Sequence, residues 1–62
     1  MEISIKAARV NAGYTQKYVC ETVNISKTTL CNYEKGRTIP DLLTAQKLAK
    51  LYNMPLDKIK FF

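Results

Sequence analysis

Residues 24 to 36 read NISKTTLCNYEKG, and three side chains in this stretch, Lys27, Thr28 and Asn32, can hydrogen-bond in a groove. The stretch predicts one short helix, with Leu30 and Tyr33 sharing its apolar face and the three polar residues falling elsewhere. Two fates are open to such polar residues. They can form a solvated helix face, the usual outcome at this spacing, or they can read a structured partner. Catalysis is the least favoured chemistry. The chain has no histidine, its five acids are scattered, and neither Cys20 nor Cys31 has an evident base to activate it. Two cysteines without a histidine or a second cysteine pair cannot complete a four-ligand zinc site. Both read as small, reduced, semi-apolar residues, so no metal or cofactor is expected.

Length and charge narrow the partner. Sixty-two residues make one domain, residues 1–62, burying about 60% of the surface that the unfolded chain exposes. That leaves room for a small helical core but not for a deep catalytic cleft. Ten Lys and Arg against five Asp and Glu give a net charge of +5. Such an excess points to an anionic partner, nucleic acid or a membrane surface, or else serves only solubility. No apolar run approaches the roughly 18 residues of a membrane span. The opening MEISIKAARV has no long apolar stretch, so no signal peptide and a cytoplasmic location are expected.

The elements that must hold Lys27, Thr28 and Asn32 in place are all helical. Ile5, Ala8, Arg9 and Ala12 recur on one face and predict a helix over about 3–12, stopped by Gly13. Thr15 caps a second helix over 16–23, whose apolar stripe is Val19, Cys20 and Val23. Asn24 tolerates a left-handed backbone and turns the chain sharply into Ser26, the cap of a third helix over 27–35. After the loop RTIPD, Asp41 caps a fourth helix over 42–52, with Leu42, Ala45, Leu48, Ala49 and Tyr52 on one face. The segment MPLDKIKFF adds Met54, Leu56 and Ile59 to the core through a last short helix over 56–60, beginning near Pro55. The expected fold is all-α, five short helices around one core.

Two helices joined by a turn of about three to four residues form a helix-turn-helix unit, whose second helix can present its polar face. An α-helix fits the major groove of B-DNA, where every base pair shows a distinct donor and acceptor pattern. The ordered set of Arg9, Gly13 to Gln16 (Gly-x-Thr-Gln), small Cys20, Ser26 and Tyr33 to Gly36 (Tyr-Glu-x-Gly) is specific. With Pro40-Asp41 and LAKLYNMPLD after it, the chain resembles the lambda-repressor/Cro-like helix-turn-helix domain over roughly residues 3 to 60. Within that family it resembles regulators of the xenobiotic-response-element type. It departs from the usual pattern at Asn24, where Gly is common, and at Cys20, where Ala is common.

The resemblance implies residue roles. Helix 3 would be the recognition helix, with Lys27, Thr28 and Asn32 facing base edges and Ser26 at the tip. Lys suits guanine O6 and N7, Asn suits adenine N6 and N7, and Thr suits a base or the thymine methyl. Gln16 would contact the phosphate backbone at the helix 2 N-terminus. Lys17, Lys35, Arg37 and Thr38 lie where flanking phosphates are expected, against the alternative of plain solvent charges. Arg9 and Glu34 would form a structural ion pair. The partner implied is double-stranded DNA, met as a homodimer at least on DNA, with no membrane and no small-molecule ligand. A Cro-like repressor on a palindromic operator follows as the expected function. Phe61 and Phe62 are candidates either for a dimer contact or for packing back on the core. If they instead bury in another protein, the chain would be a protein-binding module such as an antitoxin.

Overall fold

Each α-helix begins at an extended residue whose side-chain oxygen accepts a first-turn N–H. In the computed structural model, which describes residues 2–61, Ser4 caps α1 (Ile5–Ala12) and Thr15 caps α2 (Gln16–Val23). Ser26 caps α3 (Lys27–Glu34), and Asp41 caps α4 (Leu42–Leu51). The cap distances are 2.9–3.1 Å, and each cap satisfies a donor that the helix itself leaves unpaired. The Asp41 carboxyl is held below its ordinary range by these bonds to Thr44. Its cap is therefore at full strength above the ordinary carboxylate range and is lost as pH falls through the lowered value.

Left-handed residues end the helices where the chain must turn. Gly13 has φ 83° and donates to the carbonyls of Arg9 and Val10. Asn24, with φ 60° and ψ 52°, donates to the Cys20 carbonyl, and the next N–H, Ile25, reaches the same carbonyl at 3.0 Å. These bonds close α2 in the manner of a left-handed C-terminal cap and bring Ile25 back against the core. Only three residues then separate α2 from α3.

The core gathers one stripe from each helix. Ile5 and Ala8 come from α1, Val19, Cys20 and Val23 from α2, Leu30 from α3, and Leu48 and Ala49 from α4, followed by Tyr52. Val19, Leu30 and Leu48 are wholly buried.

Three sequence expectations are corrected. The described residues hold four α-helices, not five. Helix 1 starts at Ile5, because Ile3–Ser4 is extended (β1) and Ser4 is its cap. The expected fifth helix is a single 3-10 turn, Leu56–Lys58, after which Ile59–Lys60 (β2) is extended. The two strands pair in parallel, Ile3 opposite Ile59 and Ser4 opposite Lys60. Backbone pairing to β1 holds Ile59 extended, and its side chain still reaches the core, 4% exposed. Leu42 is the third correction: it is 65% exposed. It shares the angular face of Ala45, Leu48 and Ala49 but sits in the first turn of α4, which leaves it open to solvent.

Because Ile59 is a core residue held by strand pairing, Ile59→Ala should destabilise the domain by about 2–4 kcal/mol in urea unfolding. A loss below about 0.5 kcal/mol would show that this segment is dispensable.

Candidate nucleic-acid interface

The orientation of α3 follows from what its two inward residues do. Leu30 is wholly buried, and Glu34, one turn later on the same stripe, is an anchor to two other helices. At 3.6 residues per turn, the opposite side of α3 carries Thr28 and Asn32, with Lys35 just past its end. Lys27, Thr28 and Lys35 are exposed and Asn32 is half-buried. Side-chain hydrogen bonds around α3 involve Ser26, Thr29, Cys31 and Glu34. Among the described residues, Lys27, Thr28 and Asn32 keep their side-chain polar groups free.

Glu34 is the hub. Its Oε2 accepts from Arg9 Nε at 2.7 Å, and its Oε1 accepts from Arg9 Nη2 at 3.4 Å and from Gln16 Nε2 at 2.9 Å. Arg9 Nη1 also donates to the Tyr14 carbonyl at 2.9 Å. The two charged side chains are 11% and 5% exposed, so the expected Arg9–Glu34 pair is present and largely withdrawn from water. Hydrogen bonding to Glu34 raises the Arg9 pKa against the opposing effect of burial. Tyr52, whose Oη has no partner among the described residues, is buried nearby. Burial raises its phenol pKa, the Glu34 charge raises it further, and Arg9 opposes both.

Gln16 therefore has a more constrained position than its sequence suggests. One amide N–H goes to Glu34, and its carbonyl oxygen accepts a long bond from Cys31 Sγ at 3.8 Å. A second amide N–H remains, at the first position of α2, where the backbone N–H groups of Gln16 and Lys17 have no intrahelical partner. A helix N-terminus of this kind favours an anion. Cys31, read from the sequence only as a small semi-apolar residue, thus helps hold the Gln16 amide. That contact depends on how α2 crosses α3 and leaves no signal in residue spacing.

Ser26 is exposed at the tip of α3, yet its hydroxyl is occupied by the cap. Its Oγ accepts from the Thr29 N–H at 3.0 Å and lies 2.8 Å from Thr29 Oγ1. Thr29, not singled out in the sequence, steadies this hydroxyl. Beyond α3, Gly36 takes φ 74° and the loop folds back along the helix. The Arg37 and Thr38 N–H groups donate to the Asn32 carbonyl at 2.9 and 3.5 Å. Lys35, Arg37 and Thr38 are thereby fixed beside the exposed end of α3, and Lys17 is exposed at the start of α2. Tyr14 is half-buried and stacks at 4.8 Å on the more exposed Tyr18. Phe61 is half-buried and packs against the core, whereas Phe62 lies outside the described residues.

A family profile for helix-turn-helix domains matches residues 5–59. The chain belongs to the lambda-repressor/Cro-like helix-turn-helix family. Its relatives in this family carry regulatory names. It is 47% identical over 53 residues to the HTH-type transcriptional regulator ImmR of Bacillus subtilis, covering 86% of this chain and 42% of that protein. It is 34% identical over 59 residues to the uncharacterized HTH-type transcriptional regulator YgzD of the same organism, covering 95% and 89%. Against the cryptic phage CTXphi transcriptional repressor RstR of Vibrio cholerae the identity is 36% over 55 residues, covering 89% and 50%. The chain thus spans about half the length or less of ImmR and RstR and most of YgzD. In this helix-turn-helix domain, α2 and α3 are the two named helices, and Asn24 to Ser26 is the turn. Among the described residues no helix is long and apolar enough to cross a membrane.

Removing one partner of a buried ion pair strands the other charge. Arg9→Ala should therefore destabilise the domain by about 3–5 kcal/mol in urea unfolding, and Arg9→Met with Glu34→Leu should recover most of that loss. A single variant as stable as the parent would show that the pair carries no structural load.

Proposed function

We propose that this domain is a sequence-specific DNA-binding transcriptional regulator of the repressor type. It binds a palindromic operator as a dimer with α3 in the major groove. The observation that carries the reading is the outward face of α3. Thr28 and Asn32 keep free donors and acceptors on the side of the helix opposite Leu30 and Glu34, and Lys27 stands exposed and unpaired among the described residues at its first turn. The names of ImmR and RstR, a regulator and a phage repressor, support the same reading.

Asn32 suits adenine in a bidentate pair, Lys27 suits guanine O6 and N7, and Thr28 suits a base edge or the thymine methyl. Ser26 stands at the tip of α3, with one bonding position beyond its cap for a base or backbone oxygen. Gln16, Lys17, Lys35, Arg37 and Thr38 take the flanking phosphates and fix register without reading sequence. Gln16 is prepared for that task, because its bond to Glu34 leaves one amide N–H for an outside oxygen. Half-sites lie one helical turn apart, about 34 Å, on an operator with two-fold symmetry. Occupation of that operator blocks polymerase, and the work is done in the cytoplasm of a bacterial cell. Affinity falls steeply as salt rises, because each neutralised phosphate releases counterions.

Selection from a random DNA pool at two salt concentrations tests the reading, which expects an enriched two-fold-symmetric site. No enrichment at either salt would overturn it. On the selected site, Asn32→Ala should relax preference at one base position, with a loss of about 1–3 kcal/mol there. Equal weakening on every sequence would remove Asn32 from the base-reading set. Arg37→Ala should instead weaken binding similarly on all sequences and reduce the salt slope by about one. A changed consensus would contradict its phosphate role.

A further inference from the structure

Thr22 and Thr29 use their hydroxyls differently. Thr22 Oγ1 donates to the Tyr18 carbonyl at 2.7 Å, one turn back, as a threonine inside a helix commonly does. Thr29 Oγ1 has a single partner among the described residues, the Oγ of Ser26 at 2.8 Å. That same Oγ already accepts the Thr29 N–H at 3.0 Å. We infer that Thr29 is a positioning residue for DNA recognition: its hydroxyl donates into Ser26 and makes the Ser26 hydroxyl an outward donor, matched to an acceptor on DNA. The inference rests on the DNA-binding reading above and names what the tip of α3 selects.

Counting hydrogen-bond positions gives the direction. A serine hydroxyl has one hydrogen and two acceptor positions. The Thr29 N–H fills one acceptor position of Ser26, and the contact to Thr29 Oγ1 can then be made in two ways. If Ser26 donates, its hydrogen is spent inward and a lone pair is left at the tip. If Thr29 donates, both acceptor positions are filled and only the hydrogen faces out. Thr29 is half-buried and has no carbonyl to take its hydrogen, whereas Ser26 is exposed.

The partner decides between the two. Phosphate oxygens of the DNA backbone accept and do not donate, so a lone pair turned towards one of them repels it. In the major groove, guanine O6 and N7, adenine N7 and thymine O4 are acceptors, while cytosine offers only its amino donor. With Thr29 donating, Ser26 suits a phosphate oxygen or any of these base acceptors and cannot bond the cytosine amino group. The bonds from Thr29 through Ser26 to DNA then run in one direction, and each polarises the next.

The test measures affinity for the site selected from the random pool, using the parent, Thr29→Val, Thr29→Ser, Ser26→Ala and Ser26→Ala/Thr29→Val, after circular dichroism shows each folded. Thr29→Val keeps the shape and the capping N–H and removes only the hydroxyl. Thr29→Ser keeps the hydroxyl and removes only the methyl. Thr29→Val should weaken binding by roughly 3–10-fold, the worth of one hydrogen bond, and Thr29→Ser should bind like the parent. In the Ser26→Ala background, Thr29→Val should cost nothing further. An equal loss in Thr29→Ser, or a loss that persists without Ser26, would overturn the inference.

Sites carrying single methylphosphonates or single base changes locate the acceptor. The penalty of Thr29→Val should vanish at one position. If that position is a methylphosphonate, the acceptor is a phosphate oxygen. If it is a base, the acceptor is a base edge, and cytosine there should give the parent its weakest binding. A penalty unchanged at every position would count against the inference. Parent binding with Thr29→Val unaffected defeats the inference alone, whereas a parent that selects no site defeats the DNA-binding reading and the inference with it.

Discussion

The carboxylate of Glu34 ties three helices together. Arg9 of α1 and Gln16 of α2 both donate to it, and it belongs to α3. Within α3 only Leu30 is fully buried, with Tyr33 packed against the core in part, so apolar burial alone leaves this helix some freedom to rotate about its axis. The polar hub removes that freedom. With one apolar and one ionic anchor on the same stripe, Thr28 and Asn32 can only face outward. A buried pair of this kind adds little net stability over apolar packing of the same volume, since desolvation offsets much of the attraction. Its contribution here is to orientation.

The same hub fixes the start of α2 against α3. Gln16 is held from α3 by Glu34 and Cys31, so the start of α2 and the outward face of α3 keep a fixed relation. A site on rigid, cross-braced elements loses less freedom when it engages a ligand than one whose side chains must first be ordered. The free amide N–H of Gln16 and the free side chains of Lys27, Thr28 and Asn32 are thus parts of one rigid arrangement.

Local chemistry made much of this legible in the residues. Thr15, Ser26 and Asp41 act as caps because hydroxyl and carboxylate oxygens satisfy first-turn donors, and Asn24 turns the chain because it tolerates a left-handed backbone. The Arg9–Glu34 pair was legible because Arg9 lay on an inward stripe and the family resemblance supplied its partner. Other features needed three-dimensional information. Two-residue strands show no period, so Ile3 and Ile59 read as ends of helices. Leu42 falls on the apolar face by angle, but its exposure depends on its place in the first turn of α4. The Cys31–Gln16 contact and the occupied hydroxyl of Ser26 likewise depend on packing and cap geometry that residue type alone leaves open.

The parallel pairing of Ile3 with Ile59 makes the chain a closed loop in mechanical terms. Residues near its two ends are hydrogen-bonded neighbours, with all four α-helices strung between them. Closing so long a loop is entropically expensive. Once closed, it links the fates of the ends. Fraying at one end frees the Ser4 cap of α1, and fraying at the other withdraws Ile59 from the core, so either event undoes the same clasp. Opening at either end therefore breaks the same β1–β2 pairing.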